Sequence, residues 1–154
     1  MSDCRERING KKTQQLLQLF YRESARVRLL ALDALPQPEA EEQQALNQWL
    51  ATKRNFQRNE VASQRWIKTC SAGYITELIL HPNGTLEEFT LFKREKTHGE
   101  WQLVDGLIEL YIEKGDNTYR CAVVANQGSS IHSAIEYKNG ELHAYLKLAQ
   151  MRPA

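Results

Sequence analysis

Cysteine is scarce in this chain. Three occur in 154 residues, Cys4, Cys70 and Cys121, far apart and never as C-x-x-C. An odd, scattered set argues against a disulfide framework and against a zinc site, and a reducing cytoplasm is the simplest home for it. Long apolar runs are missing too. None approaches the ~20 residues of a membrane span, and the opening M-S-D-C-R-E-R has no apolar core of a signal peptide. Neither a membrane nor a secretory destination is expected. Net charge is also close to nil, at +1, which removes any global pull toward nucleic acid. Residues 1–70 carry 12 Lys/Arg against 8 Asp/Glu and residues 71–154 carry 8 against 11, so the halves stand at +4 and −3. Residues 53–68 are the most basic stretch, with Lys53, Arg54, Arg58, Arg65 and Lys68 against Glu60. Five cations over that length are modest for phosphate contacts, and no nucleic-acid partner is expected. No phosphate loop, nucleophile elbow or H-E-x-x-H is present. No cofactor, metal or catalytic residue is therefore assigned in the favoured reading.

What remains is a change of hydrophobic period part-way along. Residues 1–10 read as a polar tail. From Lys11 to Leu35, Leu16, Phe20, Val27, Leu30 and Ala34 recur at helical spacing. Pro36-Gln37-Pro38 stops that helix and a second begins at Pro38, with Leu46, Trp49, Leu50, Lys53 and Phe56 as its stripe. Two helices so joined predict an αα-hairpin. Their leftover apolar surface should cover the sheet, over the barrel mouth or on one side, or else meet a second chain in a homodimer.

From Trp66 the period is two. Strands are predicted at 66–72, 74–81 and 85–93, followed by a charged loop, K-R-E-K-T-H-G. Asp105-Gly106 supplies the φ > 0 pair of a type I′ turn. It would pair Val104 with Leu107, Leu103 with Ile108, Gln102 with Glu109 and Trp101 with Leu110, a register in which turn chemistry and apolar pattern agree. Strands at 118–125 and 129–137 follow. An Asn139-Gly140 turn would then pair Tyr137 with Leu142, Ile135 with Ala144, Ser133 with Leu146 and Ile131 with Leu148. The opposite face would carry Glu136/His143, Ala134/Tyr145 and His132/Lys147. The class is thus α+β: a helical hairpin (1–64), then a seven- or eight-stranded antiparallel up-and-down meander (65–154), curled or closed into a barrel as one folded unit.

The run L-I-L-H-P-N-G-T-L, then G-E-W-Q-L, then D-G-L-I-E-L, resembles the meander of bacterial lipocalin-like (calycin-type) small β-barrels over residues 75–125. The resemblance implies a barrel that holds a small apolar ligand. A cone-shaped sheet of the nuclear-transport-factor-2-like kind is the alternative architecture. Two functions follow. The first is a non-enzymatic binding module for a small apolar ligand or a protein partner, with Trp101, Tyr111, Tyr145, His132, His143 and Glu136 as candidate contacts. The second is a small enzyme with its site in the barrel mouth, using Glu136 and His143. An apolar void would favour the first, and converging titratable groups the second.

Overall fold

The computed structural model describes residues 2–24, 29–71, 73–91 and 95–151, with the backbone alone for 2–10. Helix α1 (Ser2–Glu23) leads to a short 3-10 turn at Leu32–Ala34 and to α2 (Ala40–Leu50). The minor strand β1 (Lys53–Arg54) and the one-turn helix α3 (Arg58–Val61) follow. The sheet then runs β2 (Gln64–Cys70), β3 (Ile75–Leu80), β4 (Thr85–Thr90), β5 (Lys96–Val104), β6 (Leu107–Lys114) and β7 (Asn117–Val123). It ends with the minor strand β8 (Ala125–Asn126), β9 (Ile131–Lys138) and β10 (Glu141–Met151). Eight strands close into a barrel in the order β10-β2-β3-β4-β5-β6-β7-β9, every pairing antiparallel. Closure removes the exposed edge that a long meander would leave, and it removes the open cone considered as the alternative.

The two hairpins that anchor the sequence argument come out differently. At Asp105-Gly106 all four expected pairs are present, with both residues at positive φ. A side chain at Gly106 would also strike Asn55. At Asn139-Gly140 Lys138 pairs with Glu141 and Tyr137 with Leu142, as the turn requires, but a β-bulge falls between Leu142 and Ala144. Beyond it the register is one residue off the expectation: Glu136 faces Ala144, Ile135 faces Tyr145 and His132 faces Leu148. Glu136, Ala134 and His132, set by the unbroken register on the face opposite the apolar one, are therefore the side chains that share the barrel interior with Ala144, Leu146 and Leu148. The charged loop expected at 93–99 is also corrected, because β5 already begins at Lys96. Gly99 of the G-E-W motif is needed there, since a Cβ would collide with the carbonyl oxygen of Tyr111 on β6. Phe92 and Lys93 of the expected strand, and Ala72 of the first, lie outside the described residues.

The lower barrel is filled by its own side chains. Trp66, Leu78, Leu80, Leu86, Ile108, Val123, Leu146 and Leu148 are buried there in one cluster. The chain between α2 and β2 plugs the lower end. Phe56 and Val61 join the same cluster, β1 pairs with β8, and the Phe56 amide bonds the Gly106 carbonyl. Phe56 thus packs in the barrel rather than extending a helical stripe, as α2 stops at Leu50.

The helices correct the expected hairpin. α1 starts at Ser2, inside the supposed tail, and ends at Glu23, so the connection to α2 is long rather than two or three residues. Residues 29–31 are not helical, and Val27 lies outside the described residues. Pro38 stands one residue before the cap: Glu39 is the N-cap of α2, in a capping box with Glu42. Neither helix caps the mouth. Leu16 and Leu19 of α1 pack with Leu107, Val124, Ile135 and Tyr137 on the outer barrel wall, while Phe20 and Tyr21 meet Leu46, Trp49 and Leu50. The apolar stripe of α1 is divided between the barrel and α2.

Candidate functional site

Strand parity places three titratable groups at the upper end of the barrel interior. Lys68 follows Trp66 two residues on in β2, Glu88 follows Leu86 in β4, and Glu136 lies beyond Ala134 in β9. Lys68, Glu88 and Glu136 are only 9%, 8% and 5% exposed. The Lys68 ammonium lies 2.5 Å from Glu88 Oε2 and 3.7 Å from Glu136 Oε2. Thr76 Oγ1 and Thr97 Oγ1 also donate to Glu88, at 2.8 and 3.2 Å. The bulge turns His143 toward this group, with Nδ1 3.1 Å from Glu136 Oε1 and the ring edge-on to Tyr119.

The electrostatics divide these groups by partner. Burial works against the Lys68 charge, but two carboxylates outweigh it and raise its pKa above the ordinary lysine value. Burial also pushes Glu88 up, yet Lys68 and the two threonine hydroxyls bring it below the usual carboxylate range. Glu136 is raised: burial is the largest cause, and its longer contact to Lys68 together with His143 does not offset it. Burial pushes the neighbouring Cys121 thiol up to about 12, which makes it a poor nucleophile. One ammonium between two carboxylates can neutralise only the nearer one fully. Glu136, with the longer contact, is the less neutralised of the two carboxylates, and Lys68 is held as a counter-ion.

His132, at the lower end, is a packing residue. Its ring is fully buried against Phe56 and Trp66. Nδ1 accepts from the Asn126 amide at 3.0 Å, which leaves the proton on Nε2 to donate to Gln150 Oε1 at 2.9 Å. Burial lowers its pKa, so the neutral ring is the stable form. Among the described residues, the indole nitrogen of Trp66 is the buried side-chain polar atom left without a hydrogen bond.

Outside the barrel, Glu23 at the end of α1 fastens the helices to the wall. Its carboxylate accepts from the Tyr145 hydroxyl and from Trp49 Nε1, and lies 3.6 Å from Lys53 Nζ. Burial raises the Glu23 pKa, but these donors, led by Tyr145, bring it below the ordinary value. Tyr145 is pushed up to about 12 by burial and by that carboxylate.

A recess lies outside the barrel as well. A groove of about 840 Å³ runs between α1 and the outer wall of β5, β6 and β7, lined by Gln15, Glu100, Glu109, Tyr111, Arg120 and Tyr137 among others. That volume lies within the ~300–1,000 Å³ typical of small-molecule sites.

The six residues singled out from the sequence are thus dispersed. Glu136 and His143 meet at the upper interior. His132 sits at the lower end, and Trp101 is buried in the wall with Nε1 bonded to the His81 carbonyl at 2.7 Å. Tyr111 lines the outer groove, and Tyr145 belongs to the Glu23 junction. Sequence reasoning missed Lys68 and Glu88. Parity with Trp66 and Leu86 is the available signal, but the cations around Lys68 in the sequence make it look like part of a basic patch. The cations of that patch have intramolecular partners: Lys53 with Glu23, Arg54 with Glu60, Arg58 on the Trp101 ring, Arg65 with Glu77 and Lys68 inside.

No protein-family model, curated protein or solved structure matches the chain. Among the described residues no helix is long and apolar enough to cross a membrane, and no group of three or more His, Cys, Asp or Glu is placed to hold a metal ion.

Proposed function

We propose that the chain is a non-enzymatic, lipocalin-like binding module of the cytoplasm whose small ligand lies in the lateral groove rather than in the barrel. The observation that carries this reading is the contrast between the two spaces. The recess between α1 and the β5–β7 wall measures about 840 Å³, whereas the lower barrel is occupied by buried side chains from Trp66 to Leu148. An apolar ligand inside would have to displace packed side chains, at roughly 25 cal/mol per Å² of apolar surface re-exposed. The groove needs no such displacement. Its lining combines amides, carboxylates, a guanidinium and tyrosines, the few placed polar groups that orient a ligand.

A second reading is favoured by one specific distance. Glu136 and His143 stand 3.1 Å apart with a raised carboxyl on one side of the pair, the arrangement a general acid/base site requires.

A two-dimensional amide NMR titration with a small-molecule fragment library separates them. The groove reading expects perturbed amides at Gln15, Tyr111, Arg120 and Tyr137, and their loss in Arg120→Ala. Perturbations confined to Glu136, His143 and Tyr119, abolished by His143→Ala, would replace it with the enzyme reading. A library that moves neither set would defeat both.

A further inference from the structure

Resting on the groove as the ligand seat, we infer that its ligand is a neutral, hydroxyl-rich molecule, a short oligosaccharide by chemical class, laid across the row Glu100–Tyr111–Arg120–Tyr137. The row is a consequence of register. Glu100 on β5 pairs with Tyr111 on β6, Tyr111 with Arg120 on β7, and Arg120 with Tyr137 on β9. All four point outward, since their neighbours Trp101, Leu110, Ile112 and Cys121 pack toward the barrel core. With neighbouring strands ~4.8 Å apart, the row is about 14 Å long, which suits an elongated ligand better than a single small ring.

Charge and hydrogen bonding then narrow the class. Lys11 and Glu109 neutralise each other at 3.5 Å, and Gln102 donates to Glu109 at 3.2 Å. Gln18 is spent on the Leu30 carbonyl and on the Tyr137 hydroxyl, at 2.7 and 2.8 Å. Glu100 and Gln15 make no hydrogen bond or ion pair among the described residues, and Arg120 makes only its stack on the Tyr111 ring, 4.7 Å to the centroid. The uncommitted groups are therefore one carboxylate, one guanidinium and one amide, with the two charges one strand to either side of Tyr111.

A ligand of either net charge would gain from one of them and be repelled by the other at a similar distance. A hydroxyl both donates and accepts, so a vicinal pair can donate to Glu100 while accepting from Arg120 and Gln15. A peptide is less well suited. Its main chain is recognised by adding to a free strand edge, and in the closed barrel each of β5, β6 and β7 already has a strand on both sides.

The test uses the full chain, fluorescently labelled, on an array of neutral oligosaccharides, with hits measured by calorimetry. The expected result is a neutral hit whose affinity falls at least tenfold in Glu100→Gln and again in Arg120→Ala, and changes little with salt because no charge pair is exchanged. Both positions are exposed, so the variants keep the fold, and Gln15→Ala on the helix side gives an independent third reading. No neutral saccharide bound, or a hit indifferent to all three changes, overturns the inference. A charged fragment that perturbs the groove amides in the NMR titration also overturns it, while leaving the groove as ligand seat.

Discussion

Lys68→Met isolates the energetics of the buried ion group. Methionine keeps the length and most of the volume of the stem, so the change removes charge rather than packing. In the native barrel it leaves Glu88 and Glu136 facing each other's field with side chains 10% and 7% exposed. Removing one partner of a buried pair costs about 3–5 kcal/mol, because the surviving charge has lost its counter-ion. At about 2–4 °C of melting temperature per kcal/mol for a chain of this size, the loss is of the order of 10 °C. The pH dependence carries the diagnosis. In the variant both carboxyl pKa values stand above their unfolded values, so the native state binds more protons than the unfolded state. Stability must then rise as pH falls through the raised native values, and the deficit against wild type must shrink. Urea unfolding of both proteins at neutral pH and at about pH 5 measures this, the acidic condition lying near ordinary carboxylate values. A loss below ~1 kcal/mol, unchanged with pH, would show that the ammonium is not the counter-ion described.

Three further outcomes are expected. Trp101→Ala, which removes a side chain 4% exposed and its bond to His81, should lose about 3–5 kcal/mol in denaturant melts, and a loss under ~1 kcal/mol would mean that the ring does not pack the wall. His132 has a lowered native pKa, so the unfolded state takes the proton first. Its contribution is whole above the unfolded value near 6.5 and is lost as pH falls toward the native one, and His132→Asn should flatten the stability profile across that window. Glu23→Gln should cost about 1–3 kcal/mol and expose α1 amides in hydrogen exchange before the barrel amides; equal protection of both would show that Glu23 does not fasten the helix.

The barrel was legible because turn chemistry and alternation speak together. Asp105-Gly106 set a register that the apolar pattern of Trp101, Leu103, Ile108 and Leu110 confirmed. The second hairpin lacked that check. Around Asn139-Gly140 both faces of β9 are buried: Ala134 and Glu136 toward the interior, Ile135 and Tyr137 under α1 and the segment after it. When a helix covers the outside of a sheet, alternation no longer says which face is which. His143 could then enter the bulge without breaking the pattern of Leu142, Ala144, Leu146 and Leu148. The same slip concealed the charged layer, since Glu136 meets Lys68 only in the bulged register. The helices were misjudged for another reason: leucines recur at helical spacing through Leu30, and that spacing holds no signal that α1 stops at Glu23. The groove was out of reach altogether, because it depends on where α1 lies against the wall.

Barrel closure also dictates an order of events in synthesis. Strands β2 to β7 each have a partner next to them in sequence and can pair as they emerge, but β2 has no second neighbour until β10 arrives. Leu146 pairs with Cys70, and Met151 with Arg65, across nearly the whole sheet. Such distant pairings form late and slowly. Until then β2 presents an unpaired edge carrying Trp66 and Lys68, and the barrel has neither its complete core nor Tyr145 to hold Glu23. The nascent chain must pass through this open, edge-exposed stage at every round of translation. Aggregation during expression should accordingly follow changes in β2 and β10 more closely than changes in the hairpins between them.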